Sequence, residues 1–130
     1  MLLIGAGSGV VPLMAMIRAR KIGADGVPAA LLLSARTWRD VLHRDELLIA
    51  EVVDSTFSLA VTLTREAPTR QSDFGRRIDA TMVASVVARL PAPPGHVFFC
   101  GSNAFVDVAT DGTLAAGFSG PQIRTERYGG

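Results

Sequence analysis

Met1-Leu2-Leu3-Ile4-Gly5-Ala6-Gly7-Ser8-Gly9-Val10-Val11-Pro12 is the stretch whose reading decides the fold. Leu2–Ile4 is a short run without a polar residue, as a strand buried on both faces reads. It ends in three alternate glycines, Gly5, Gly7 and Gly9, and an apolar segment follows at once. Strand, glycine turn and helix in immediate succession are how α/β proteins build a phosphate cradle. Glycines let the backbone approach a pyrophosphate, and the helix N-terminus offers N–H groups and a partial positive charge. Pro12 suits a first helical turn, where the N–H has no intrahelical partner. The plain alternative is a glycine-rich turn with no ligand.

Working outward, the same alternation continues. Pro12 to Ile22 reads as a helix, stopped by Gly23. Ala29 to Ser34 is a second buried strand around Leu31-Leu32-Leu33. Thr37-Trp38-Arg39-Asp40 resembles a capping box. The helix it would open runs to about Val53, with Val41, Leu42, Leu48 and Val52 as its expected buried face. Phe57 to Thr64 is a third strand, and Arg65 to Arg77 a polar loop. Asp79 can cap a helix carrying Met82, Val83, Val86, Val87 and Leu90. Pro91-Ala92-Pro93-Pro94-Gly95 is a rigid turn. Val97 to Cys100 is a fourth strand, Ser102 can cap a helix to Ala116 stopped by Gly117, and Gln122 to Arg127 is a short fifth strand. Strands alternating with helices through short links predict right-handed crossovers and a parallel sheet covered on both faces. The expected architecture is therefore α/β: a three-layer, doubly wound, five-stranded parallel sheet, with residues 1–130 as one domain.

Composition agrees. A chain of 130 residues with 48% hydrophobic and 19% charged residues is globular rather than disordered. Its net charge of +1 gives no field that would draw nucleic acid. One cysteine excludes an internal disulfide framework and fits a reducing compartment. No apolar run reaches the ~18 residues of a membrane span, and no basic segment heads a secretory leader. A cytoplasmic location is the expectation.

Ligands of such sheets bind at the carboxyl ends of the strands. Those ends carry Gly5–Gly9, Ser34 and Arg36, Thr64 and Arg65, and Cys100-Gly101-Ser102. The glycine turn is no Walker loop, because no Gly-Lys-Ser/Thr follows. It also departs from the strict dinucleotide fingerprint, since Gly9 comes one position early. Arg36 stands where a dinucleotide domain meets the adenosine ribose; arginine there favours a 2′-phosphate, and the acid that would accept a 2′-hydroxyl is absent from that position. Arg65 and Arg76 are candidates for the same phosphate, or all three are solvated. Cys100 is open between a packing thiol and a site residue. His43 and His96 read as solvated, as do the acids Asp40, Asp45, Glu46, Asp107 and Asp111. No His/Cys/Asp group has metal-ligand spacing, and no nucleophile elbow follows a strand.

Together these residues resemble the NAD(P)-binding domain of the ferredoxin–NADP reductase superfamily. The resemblance spans nearly the whole chain. It rests on Gly5–Pro12, on Ser34-Ala35-Arg36 with His43-Arg44-Asp45-Glu46-Leu47, and on Thr64-Arg65-Glu66 with Gly75-Arg76-Arg77-Ile78. It rests also on Cys100-Gly101-Ser102-Asn103 and on Ile123 to Gly129. The resemblance implies that Gly5, Gly7, Ser8, Gly9 and Pro12 hold a cofactor pyrophosphate, with Ser8 towards the nicotinamide. It implies that Arg36, Arg65 and Arg76 hold the 2′-phosphate, with Ser34 also a cofactor-binding residue, so NADP is expected over NAD. Cys100, Gly101 and Ser102 would lie beside the nicotinamide, Cys100 packing and polarising rather than attacking, and Tyr128 would approach a flavin.

Members of that superfamily carry a flavin-binding barrel ahead of this domain, and nothing in this sequence resembles it. FAD is therefore expected from a missing or separate domain or flavoprotein, with an electron-acceptor protein beyond it. The reaction implied is hydride transfer from NADPH to flavin, with electrons passing on to a ferredoxin-like or iron–sulfur acceptor. The alternative is a non-catalytic nucleotide-binding module that docks to a flavoprotein. A small phosphatase or kinase is disfavoured by the absent Lys after the glycines.

Overall fold

An apolar strand at the centre of a sheet needs cover on both faces, and the chain supplies it in two layers. The computed structural model describes residues 1–23 and 27–127. The elements are β1 (Leu2–Ala6), α1 (Val10–Gly23), β2 (Ala29–Ala35), α2 (Arg44–Val53) and β3 (Phe57–Leu63). They continue with α3 (Ala80–Val87), β4 (Val97–Gly101), α4 (Asn103–Ala115) and β5 (Ile123–Arg127). The strands form one parallel sheet in the order β3-β2-β1-β4-β5. The expected architecture is the observed one.

Period-two alternation explains why the strands are apolar throughout. Leu3, Leu31, Leu33 and Val61 face the layer of α1 and α2, while Leu2, Ile4, Leu32 and Phe99 face the layer of α3 and α4. The central side chains Leu2, Leu3 and Ile4 are fully buried, each stabilising by about 1.5–3 kcal/mol relative to exposure. Asp79 and Ser102 cap their helices as expected, accepting from the N–H of Met82 at 2.8 Å and of Phe105 at 3.3 Å. Gly117 ends the last helix in a left-handed conformation, φ +105°.

Two expectations need correction. The first helix begins at Val10, after a 3-10 turn over Gly7–Gly9, so Pro12 is its third residue. It still falls among the first four N–H positions, which lack intrahelical partners. The Thr37–Asp40 box does not open α2. Thr37 Oγ1 does donate to Asp40 Oδ2 at 3.0 Å, but the pair closes only the 3-10 turn Trp38–Asp40. The chain then leaves the helical region at Val41, and α2 restarts after His43, which takes φ +57°. The restart rotates the helix: Leu47 is fully buried, whereas Val52 is 85% exposed and Leu42 45%.

The loop after β3 is more than a connection, because it closes a sheet edge. Three N–H groups of β3 point outward, away from β2. Leu59 donates to Glu51 Oε2 at 2.7 Å, Val61 to Asp73 Oδ1 at 2.9 Å and Leu63 to the Phe74 carbonyl at 2.9 Å. Arg70 bridges the two acids, at 2.6 Å from Glu51 and 3.1 Å from Asp73. An edge sealed in this way offers no template to another strand.

Candidate functional site

The chain winds outward from β1 to β2 and β3, then returns to β4 on the other side of β1. A crevice opens where the winding reverses, at the carboxyl ends of β1 and β4. The glycine turn lies in it. A Cβ on Gly9 would stand 2.2 Å from the Cys100 carbonyl oxygen, so this glycine is set by the close approach of the turn to β4. Gly7 has φ +54° and nothing within 4 Å of where its Cβ would be, a left-handed residue facing open space. Gly5 lies where a Cβ would meet Leu13 of α1 at 2.8 Å. Helix α1 carries no acid in its first turn, so its N-terminal partial charge is not neutralised from within. This cradle fits an anionic group such as a pyrophosphate.

Beside it lies a cleft of ≈ 370 Å³ lined by Ala6, Gly7, Ser34, Ala35, Arg36, Asp40 and Thr64. Past the sheet, the ends of β2 and β3 stay paired: Thr64 N–H donates to Ala35 O at 3.0 Å and Arg65 N–H to Arg36 O at 2.9 Å. That backbone link sets Arg36 and Arg65 next to one another. Both are exposed, and Arg36 makes no ion pair among the described residues.

Arg76 is not brought to them. Its guanidinium donates to Asp79 at 2.9 and 3.3 Å and lies 5.6 Å from the Phe74 ring centroid. Arg76, with the Met82 N–H, holds the Asp79 carboxyl below its ordinary range. Of the three expected arginines, Arg36 and Arg65 are neighbours through the backbone, while Arg76 is engaged by the acid that caps α3. Its neighbour Arg77 instead lines a second cavity of ≈ 250 Å³ with Ser34, Thr64, Ile78 and Phe105. The two cavities share Ser34 and Thr64. Asp40 and Arg77 are the charged residues lining these cavities that lie outside the expected set. A signal for Asp40 was the Thr37-x-x-Asp40 spacing just past a strand end; adjacent arginines gave none for Arg77.

On the far side of the crevice, Cys100 is 1% exposed. Burial, and after it the nearby Glu126, pushes its thiol up. The sulfur therefore keeps its proton at neutral pH and is a poor nucleophile. Ser8 is exposed in the 3-10 turn. Gly101 ends β4 where a Cβ would meet Phe105 at 2.6 Å, and the hydroxyl of Ser102 is engaged as the α4 cap. Tyr128 lies outside the described residues. Among the described residues no group of three His, Cys, Asp or Glu could hold a metal ion. None of the described helices is long and apolar enough to cross a membrane.

A doubly wound parallel sheet with a glycine turn at its switch point defines a nucleotide-binding α/β domain. The chain belongs to the oxidoreductase NAD-binding domain family, whose model matches residues 3–111. It is 30% identical over 135 residues to ferredoxin–NADP reductase B of Sorangium cellulosum, a match covering 98% of this chain and 53% of that protein. It is 30% identical over 108 residues to the reductase component of propane 2-monooxygenase from Mycolicibacterium goodii, covering 82% of this chain and 31% of that one. Among solved structures it superposes with a TM-score of 0.81 on the flavohemoglobin from Malassezia yamatoensis with bound FAD and heme. That match has 26% identity and covers 98% of this chain and 31% of the other. The chain thus spans about half the length of the first relative and a third of the second. It is an NAD(P)-binding domain of the ferredoxin–NADP reductase type.

Proposed function

We propose that this chain is the NADPH-binding half of a flavin-dependent oxidoreductase, with residues 1–130 as its nucleotide domain. In this reading hydride passes to FAD or FMN held by another domain or flavoprotein, and electrons go on to a ferredoxin-like or iron–sulfur acceptor. The observation that carries it is the pairing of Arg36 with Arg65 at the open carboxyl ends of β2 and β3. Guanidinium groups match phosphate oxygens in geometry and charge. A 2′-phosphate is the group that separates NADP from NAD.

Each residue then has a task. Gly5, Gly7, Ser8, Gly9 and Pro12, with the N-terminus of α1, hold the pyrophosphate. Ser34, Arg36 and Arg65 hold the phosphorylated ribose, and Arg76 joins them only by leaving Asp79. Cys100, Gly101 and Ser102 form the wall at the nicotinamide end, where a protonated Cys100 packs and excludes water. Tyr128 is assigned to the flavin side. The bound cofactor supplies the hydride; the protein supplies orientation. A single cysteine kept as a buried thiol suits the reducing cytoplasm, the location we assign.

Calorimetric titration of the chain with NADP and with NAD tests the reading. Saturable binding that prefers NADP supports it, and no binding by a folded chain overturns it. Arg36→Ala should weaken NADP by about 1–2 kcal/mol, as loss of an exposed charge-assisted contact does, and spare NAD. The second reading is a non-catalytic nucleotide-binding module that docks to a flavoprotein. Dye reduction by NADPH with added FAD separates the two: a pure binder shows none.

A further inference from the structure

We propose that Asp40 is a specificity-determining residue, whose carboxylate accepts a ribose hydroxyl when the adenosine carries no 2′-phosphate, so that the cleft admits NAD as well as NADP. The inference rests on reading the ≈ 370 Å³ cleft as the adenosine end of the site. Asp40 lines that cleft together with Arg36 and Gly7. One of its oxygens, Oδ2, accepts from Thr37 Oγ1 at 3.0 Å. The other, Oδ1, has no hydrogen bond among the described residues.

The turn that carries Asp40 is held from three sides. Glu66 Oε2 accepts the Trp38 N–H at 2.7 Å. Arg44 donates to the Trp38 carbonyl at 3.1 Å. The Arg70 guanidinium lies 5.9 Å from the centre of the Trp38 ring. Val41, just beyond, is buried beneath the turn. Glu66 directly follows Arg65, so the segment after β3 carries both a cation of the cleft rim and a contact that holds the turn bearing Asp40. A carboxylate on a merely solvated face has no need of such support.

The chemistry acts with opposite sign on the two nucleotides. A phosphate dianion is attracted by Arg36 and Arg65 and repelled by Asp40. A bare hydroxyl is a donor, and a carboxylate fixed by Thr37 is a charged acceptor for it. Asp40 therefore narrows the preference that the arginines create.

The test is calorimetric titration of the full chain, wild type and Asp40→Ala, with NADP and with NAD at one fixed salt concentration. The expected result is a fall in NAD affinity of roughly tenfold, as for loss of a hydrogen bond to a charged group. NADP affinity should rise by roughly threefold as the repulsion is removed. Should Asp40→Ala unfold, Asp40→Asn keeps the shape and an acceptor for Thr37 while removing the charge, and should still raise NADP affinity. An NADP-to-NAD affinity ratio that does not move in a folded variant overturns the assignment of Asp40 alone. A folded wild-type chain that binds neither nucleotide overturns the cleft reading and this inference together.

Discussion

Gly7 and Gly9 look alike in the sequence and are constrained by opposite things. Gly9 is pressed against backbone, its absent Cβ falling 2.2 Å from the Cys100 carbonyl oxygen. Gly7 has open space and only a left-handed φ to defend. Gly9→Ala must push β4 away from the turn and should cost about 3 kcal/mol or more, at the upper end of overpacking. Gly7→Ala should cost about 1 kcal/mol, the strain of a left-handed residue with a side chain. Thermal melts rank the two, and equal shifts would show that the crevice between β1 and β4 yields easily. The glycine spacing, Arg36 and Arg65 were legible because each sits at a strand end that the apolar runs announce. The fate of Arg76 was not. Whether Arg76 or Arg77 faces the cleft turns on Asp79, which both caps α3 and captures Arg76, and neighbouring arginines carry no such information. For Asp40 the Thr37-x-x-Asp40 spacing marked a turn, but not its place on the cleft, which depends on a turn fixed by Glu66 and Arg44, from the loop after β3 and from the start of α2.

At the scale of elements, the dense apolar runs gave every strand and three of the four helices, since burial on two faces leaves little ambiguity. Helix α2 was misread at its start and on its face. A single turn of 3-10 helix and one left-handed residue, His43, reset its phase, and local side-chain patterns do not show a reset made by tertiary contacts. The closure of the β3 edge was equally hidden, because Glu51 and Asp73 are acids in a helix and a loop that meet only after folding. That closure makes a sharp prediction. The Val61 N–H is buried and has Asp73 Oδ1 as its partner. Asp73→Ala leaves that donor unsatisfied and should lose about 2–3 kcal/mol. Asp73→Asn keeps an acceptor oxygen there and should lose less than about 1 kcal/mol. Burial pushes the Asp73 carboxyl up, so its charge opposes folding at neutral pH and the amide removes that penalty. Urea unfolding of the two variants decides it; similar losses would mean that the N–H is satisfied by water.

At the scale of the whole molecule, the two ends of the sheet divide the labour. The carboxyl end is open and carries the cleft. The amino end is tied by Arg20, whose side chain is only 7% exposed. Arg20 reaches from α1 to the Val27 carbonyl, to Asp54 Oδ2 at 2.8 Å, and to the Thr56 carbonyl and hydroxyl. It thereby joins α1 to the approaches of both β2 and β3. Breaking this half-buried pair with Arg20→Met should cost about 2–3 kcal/mol, as for the loss of hydrogen bonds to a charged group. Nucleotide affinity of the folded protein should not change, since the cleft lies at the opposite end. The pair also dictates an acid response. The Thr56 hydroxyl, then Arg20, hold the Asp54 carboxyl down at about 2, against 3.8 for the free group. A depressed carboxyl pKa stabilises the fold fully above the unfolded value and loses that contribution as pH falls through the folded one. Asp54 should therefore contribute about 2 kcal/mol above pH 4, fading towards pH 2. Asp54→Asn cannot be protonated, so its stability deficit against wild type should shrink over that window. Urea unfolding of both proteins at pH 6 and near pH 2 measures the gap, and a gap that stays constant would mean that Arg20 holds its partner through hydrogen-bond geometry rather than charge.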